Sequence, residues 1–358
     1  MTTTAQTQTK MLPAGEPLLE VKDLRVVLPL MEGNLVAADG VNFTIQQGRT
    51  LGLVGESGCG KTMTAQSILK ISPKIARTTG EILLHYPDRP STDIVGLGKE
   101  DRELLRIRGG ECAMIFQEPM TSFSPVHTIG NQLIEAVLLH RTRDKHQARE
   151  IAIGMLAKVG IPAPADTLRK YPHHLSGGMR QRAMIAMALA SQPRLLIADE
   201  PTTALDVTVQ AQVLRLMRDL QRDLGMAILY ISHDLGVIAR MADDVAVMYM
   251  GSIVEQAPVR DLFRAPKHPY TRGLMASVPR IGKRSGEPLK SIGGNVPIPI
   301  NKPRACGFFP RCPVAMSGIC DRAVPPLVDV AAGHKSACFK YPEVLAAAGL
   351  TQEAAHVH

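Results

Sequence analysis

The chain has 358 residues, 45% of them apolar, with 30 glycines, 26 prolines, no tryptophan and a formal net charge of +8 at pH 7. Such a length exceeds what one domain usually needs, so one large domain with a smaller appendage is expected. No run approaches the roughly 20 apolar residues that span a bilayer. The polar start Met1-Thr2-Thr3-Thr4-Ala5-Gln6 lacks the charged and apolar halves of a signal peptide, which predicts a cytoplasmic protein. The densest basic stretch, Arg141 to Arg149, also carries Asp144 and reads as a solvated helix face, so no nucleic-acid partner is expected.

Residues Met1 to about Pro17, rich in Thr and Gln, read as a disordered tail, and Glu20 to Ile45 as strands. Leu51-Gly52-Leu53-Val54 is a short apolar run of buried-strand type, followed by Gly55-Glu56-Ser57-Gly58-Cys59-Gly60-Lys61-Thr62 and a predicted helix over Met63 to Lys70. Strand, glycine-rich loop and helix are the setting that a phosphate-binding loop requires. The glycines let the backbone curl so that successive N–H groups point at phosphate oxygens, and the helix N-terminus adds partial positive charge. Lys61 is then the residue for the outer phosphates of ATP, and Thr62 the hydroxyl ligand for Mg2+.

Ala113-Met114-Ile115-Phe116 is a further apolar run, and Gln117 after it has an amide that can touch both metal and water. Between Gln117 and Ser176 the pattern turns helical, clearest over Ile129 to His140 and Gln147 to Gly160. Leu175-Ser176-Gly177-Gly178 precedes a helical stretch, Met179 to Ala190, so Ser176 is placed to cap a second phosphate-binding helix N-terminus. Leu195-Leu196-Ile197-Ala198 is a buried strand delivering Asp199 and Glu200 at its carboxyl end, where open parallel sheets place their ligands. Asp199 suits the magnesium, and Glu200 the water that attacks the terminal phosphate. A helix over Val209 to Asp223 leads to the strand Ala227 to Ser232, which ends in His233, a candidate for the terminal phosphate. Val245 to Met250 adds another apolar run, and strands alternating with helices predict a parallel sheet.

One ATP does not need two phosphate cradles from one chain. The order of these segments resembles the ATP-binding subunits of ABC transporters. That resemblance implies an α/β fold: an ABC ATPase cassette with a RecA-like mixed sheet core over 18–262 and a helical subdomain at about 118–190. It also implies a head-to-tail dimer with a second ATPase chain, the same or homologous, in which each ATP lies between the phosphate loop of one chain and Ser176, Gly177, Gly178 and Gln181 of the other. Ala204-Leu205-Asp206 matches the loop that carries signals across the dimer, and Glu118-Pro119-Met120-Thr121-Ser122-Phe123 the groove for a coupling helix. The family's adenine-stacking aromatic is missing: Val26-Val27-Leu28-Pro29-Leu30 offers only Leu28 as an apolar contact.

After about Leu262 the chain becomes Pro-rich and weakly periodic. His268-Pro269-Tyr270, Gly294-Asn295-Val296-Pro297 and Cys306-Gly307-Phe308-Phe309-Pro310-Arg311-Cys312-Pro313 resemble the extension of the oligopeptide, dipeptide and nickel importer branch. Two permease subunits, a separate solute-binding protein and a peripheral place on the inner face of the plasma membrane are implied. So is an ATPase that drives import of peptides or a related solute, the alternative being a soluble ABC ATPase without a membrane partner. Cys306, Cys312, Cys320 and Cys338, four of six cysteines, crowd into residues 263–358, and clustered thiols in a cytoplasmic protein suggest metal ligation. Their spacing lacks the paired C-x-x-C of common zinc sites. Some members of the branch carry a [4Fe-4S] cluster on such a quartet; zinc or unligated buried thiols are the alternatives. Cys59 and Cys112 read as small residues that fit their places.

Overall fold

The computed structural model describes residues 11–117, 122–203, 205–278 and 292–350. Strands β1 (Pro17–Leu30), β2 (Gly33–Gln46) and β3 (Thr50–Val54) precede helix α1 (Lys61–Ile68), β4 (Arg77–Leu84), β5 (Thr92–Asp93), α2 (Arg102–Arg106) and β6 (Cys112–Ile115). Next come α3 (Ile129–His140), α4 (Lys145–Lys158), α5 (Pro164–Thr167), α6 (Gly177–Leu189), β7 (Leu195–Asp199), α7 (Val207–Leu224), β8 (Ala227–Ser232), α8 (Leu235–Met241) and β9 (Asp244–Tyr249). The remainder forms β10 (Ser252–Pro258), α9 (Val259–Arg264), α10 (Pro269–Ala276), β11 (Val328–Ala331), β12 (His334–Ser336) and α11 (Pro342–Ala347). The chain divides into two compact units, one of Met1–Glu20, Thr44–Thr50 and Leu83–Ile231, the other of Val21–Phe43, Leu51–Ile82 and Ser232–His358.

In the first unit β6, β7 and β8 run parallel, with Cys112 opposite Leu195 and Leu195 opposite Ala227. Every residue of β7 and β8 is buried, which is why both read as unbroken apolar runs rather than as an alternation. Helices α3, α4 and α6 pack on one another, capped by Thr128, Asp144 and Ser176, whose side chains accept the first free backbone N–H groups. In α7 the buried residues Val213, Leu214, Met217 and Leu220 form one stripe at helical spacing. The first ten residues of the expected tail lie outside the described residues. Glu16 and Gln47 are joined by a backbone hydrogen bond of 2.8 Å, so order begins before β1.

In the second unit β3 pairs in parallel with β9, and β9, β10, β12 and β11 continue antiparallel. Beyond residue 262 the chain thus adds two strands, β12 and β11, to the sheet that carries β3. A second attachment runs along β2, where the Val36 N–H donates to the Pro299 carbonyl at 2.9 Å and the Asn301 N–H to that of Asn34 at 2.8 Å. Lys302 Nζ adds an ion pair to Asp39 at 3.1 Å.

Glu255 of β10, fully buried, fixes the turn into α10: its carboxylate accepts from the backbone of Lys267 at 2.5 Å and of His268 at 2.9 Å, and His334 Nε2 lies 2.6 Å away. Three donors satisfy a carboxylate that would otherwise be costly inside the protein. His268 caps α10 through Nδ1, which accepts from the Tyr270 N–H at 3.1 Å, so its ring proton sits on Nε2. Burial pushes this imidazole down to about 4, against the opposing pull of the Glu255 carboxylate, with Arg272 lowering it further. The unfolded chain therefore binds the proton first as pH falls. The stability of the neutral ring is complete above the ordinary value of 6.5 and drains away as pH drops through about 4. Equilibrium denaturation across that window is expected to show a shallower acid loss for His268→Asn, which keeps an acceptor for the Tyr270 N–H without a titrating ring; equal slopes would contradict this.

Candidate functional site

In the second unit β3 is buried throughout and ends at the loop 55–60, after which Lys61 opens α1. Two glycines make the curl possible. Gly60 has φ +103°, and a Cβ there would lie 1.9 Å from the Ala37 carbonyl oxygen; one on Gly55 would lie 2.2 Å from that of Met248. No other residue type fits either place. The curl is further tied by the Gly251 N–H, which donates to the Cys59 carbonyl at 2.9 Å. Lys61, 6% exposed, threads the loop: its ammonium donates to the carbonyls of Gly55 at 2.7 Å and Glu56 at 3.1 Å, with Cys59 Sγ at 3.7 Å. Thr62 is half-buried in the first helical turn, between Lys61 and the α1 interior. Burial raises the Cys59 thiol and Lys61 partly offsets it, so Cys59 serves as the small residue its place demands.

Two residues of this loop's surroundings were invisible in the sequence. The Glu56 N–H donates to the Tyr270 hydroxyl at 2.9 Å, and the Glu56 carboxylate is paired with Arg311. The second pair lies 255 positions apart, and no local pattern announces it.

In the first unit β7 carries Asp199, which is buried, and then Glu200. Glu200 has φ +47°, a left-handed conformation that costs a non-glycine residue on the order of 1–2 kcal/mol. Its N–H donates to the Ile231 carbonyl at 3.0 Å, which holds the turn against that cost. Glu200 Oε2 accepts from Gln117 Nε2 at 3.1 Å and from the Thr203 hydroxyl at 3.0 Å. Gln117 and Glu200 are thus brought together, and Thr203 is a third member that sequence reasoning missed, although the i, i+3 spacing across a turn was a usable signal.

Ser176 caps α6 by accepting from the Met179 N–H at 3.4 Å; Gly177 and Gly178 form the first turn, and Gln181 is buried in the second. Asp206 caps α7, accepting from Thr208 and Val209 at 3.0 and 2.9 Å. In the second unit His233 is exposed just past β8, and Asp234 caps α8. Ala204 and Glu118 to Thr121 lie outside the described residues. Phe123 is buried at 3% exposure, so its ring serves the core rather than the surface of a groove. Leu28 is half-buried on β1.

The cysteine quartet requires a correction. Among the described residues no three His, Cys, Asp or Glu side chains converge closely enough to hold a metal ion, so the expected iron–sulfur or zinc ligation by Cys306, Cys312, Cys320 and Cys338 finds no support. Cys320 is buried and Cys306, Cys312 and Cys338 are half-buried; loss of solvent pushes Cys306 up to about 12 and Cys338 to about 11, and it raises Cys312 and Cys320 as well. Cys320 sits in a small core with Ile319, Phe339, Val344 and Leu345, and Cys306 packs on it. Neutral thiols in such a setting behave as small apolar residues.

Gly60→Ala tests the curl. The new methyl would meet the Ala37 oxygen, so MgATP binding is expected to vanish and the melting temperature to fall. Gly154→Ala, mid-helix in α4 with open space about its Cβ, should gain about 1 kcal/mol. Calorimetric titration and thermal melts of both variants check the contrast; normal ATP binding by Gly60→Ala would refute this account of the loop.

The ABC transporter family model matches residues 38–203, and the model for the oligopeptide/dipeptide transporter C-terminal region matches 254–320. A putative peptide import ATP-binding protein of Brucella melitensis is 47% identical over 92% of this chain and 99% of its own length. The oligopeptide transport ATP-binding protein OppD of Salmonella typhimurium is 45% identical over 95% and 99%. Among solved structures, the ADP- and phosphate-bound cassette MJ0796 superposes with a TM-score of 0.59 at 24% identity, covering 68% of this chain and 99% of that one, which supports the cassette fold. With a glycine-loop curl in one unit, a strained Glu200 joined to Gln117 in the other, and relatives that match nearly end to end, the chain belongs to the ABC transporter family of ATP-binding cassettes, in the branch with the oligopeptide/dipeptide C-terminal region.

Proposed function

We propose that this chain is the ATP-hydrolysing subunit of an importer for peptides or a chemically related solute. The observation that carries the hydrolytic part is the Glu200 carboxylate, set on a strained turn and oriented by Gln117 and Thr203. Such a carboxylate is a suitable base for a water molecule attacking the terminal phosphate. Lys61 supplies fixed positive charge to the outer phosphates, and the loop N–H groups between Gly55 and Thr62, other than that of Glu56, which Tyr270 holds, complete the cradle. His233 takes the terminal phosphate. Thr62, Gln117 and Asp199 each carry an oxygen of the kind Mg2+ prefers, and on this reading each is a magnesium ligand; the ion when bound would neutralise phosphate charge.

The import assignment draws on the matched C-terminal region and on relatives described as peptide import or oligopeptide transport ATP-binding proteins. On this reading the chain works in a head-to-tail dimer with the same or a homologous ATPase, in which Ser176, Gly177, Gly178 and Gln181 of one chain close over the ATP held by the other. Asp206, as the α7 cap, transmits that closure. The dimer binds two permease subunits on the inner face of the plasma membrane, and a separate solute-binding protein delivers the cargo. Among the described residues no helix is long and apolar enough to cross a membrane.

Glu200→Gln keeps the hydrogen-bonding shape of the side chain and removes its basicity. MgATP affinity is expected to stay within about twofold while turnover falls by about 100-fold or more. Hydrolysis at the parent rate would refute the role of Glu200.

A further inference from the structure

Glu56 is held at both ends. Its backbone N–H donates to the Tyr270 hydroxyl at 2.9 Å, and its carboxylate is gripped by both prongs of Arg311, Nη1 to Oε2 at 2.9 Å and Nη2 to Oε1 at 3.0 Å. This is the fork-to-fork geometry in which an Arg–carboxylate pair is strongest. The Arg311 side chain is 4% exposed, and its Nε donates to the Gly293 carbonyl at 2.8 Å, so the guanidinium is fixed before it reaches Glu56. Behind it the rings of Tyr249, Tyr270 and Phe308 pack with centroids 4.6 to 5.4 Å apart. Phe308 and Arg311 both lie in the segment bounded by Cys306 and Cys312, folded as a single turn over Phe309–Arg311. The same Glu56 that Arg311 grips offers its carbonyl to the Lys61 ammonium, so the guanidinium, the loop backbone and the phosphate-binding lysine form one connected chain of contacts.

We infer that Arg311 is a positioning residue for the phosphate-binding loop: by clamping Glu56 it sets the loop N–H groups and Lys61 for ATP, and the cysteine-bearing extension thereby tunes nucleotide affinity. This inference rests on the reading of loop 55–62 as the MgATP site. Arg311 touches neither phosphate nor water, so its effect belongs in ATP affinity and KM rather than in kcat. Lysine is a single-point donor that does not reproduce a two-pronged grip.

The test uses full-length protein, with MgATP affinity measured by calorimetric titration, steady-state ATPase kinetics and a thermal melt for each variant. Arg311→Lys, Arg311→Ala and Glu56→Gln are each expected to weaken MgATP binding by about tenfold, with kcat at saturating ATP within about twofold of the parent. The double variant Arg311→Ala/Glu56→Gln should bind no more weakly than the weaker single one, because both remove the same clamp. Multiplying losses would overturn the inference by showing that Arg311 acts through other partners. If Arg311→Ala does not fold, Arg311→Lys and Glu56→Gln carry the test. Parent-like affinity in these variants, even with a lowered melting temperature, would reduce Arg311 to a structural tie and leave the ATPase reading intact. Failure of the parent itself to bind MgATP would remove both.

Discussion

The close approach of two glycines to neighbouring backbone is the constraint on which the second unit depends. The loop 55–60 can curl only because Gly55 and Gly60 bring no Cβ against the carbonyls of Met248 and Ala37. Those carbonyls belong to β9 and β2, so the loop is shaped by the strands around it as much as by its own glycines. Lys61, Cys59 and Glu56 then occupy the positions the curl leaves: the ammonium turned into the loop, the thiol packed beneath it, the carboxylate turned outward to Arg311. The residues beyond 262 are fitted around this core by strand pairing on β10, by the 299–302 segment on β2 and by the buried Glu255 network.

The first unit solves a different problem, the presentation of a basic carboxylate at a strand end. Parallel strands β6, β7 and β8 are buried on both faces and bring Gln117 and Glu200 to the same edge. The left-handed turn at Glu200 lifts its side chain off the line of the strand, and Gln117 and Thr203 fix one carboxylate oxygen. Strain held in place by a backbone hydrogen bond to Ile231 fixes the carboxylate in advance, which is the preorganisation that the proposed role of Glu200 requires.

What the sequence made legible follows from the range of the interactions involved. The apolar runs at 195–198 and 227–232 are strands because a doubly covered parallel sheet demands contiguous burial, and Ser176 is a cap because a helix N-terminus needs a short polar acceptor. The glycine loop was legible for the same local reason. Arg311 and Tyr270 were not, since their partner Glu56 lies more than 200 positions away and only the folded chain joins them. The cysteine quartet was read from composition, and among the described residues no three of its side chains, or of His, Asp or Glu, meet closely enough to support a metal; Cys320 sits in the core with Phe339 and Val344, and Cys306 packs on it. Counting donors does not say where their side chains point.

The central claim is that loop 55–62 delivers Lys61 to the phosphates of an ATP that this chain hydrolyses. The most direct measurement compares steady-state phosphate release by the purified chain and by Lys61→Ala, each with and without Mg2+. The account predicts saturable, magnesium-dependent hydrolysis by the parent and its loss, by about 100-fold or more, when the ammonium is removed. Equal rates in the two proteins would mean that the loop is not the nucleotide site, and the mechanism built on it would fall.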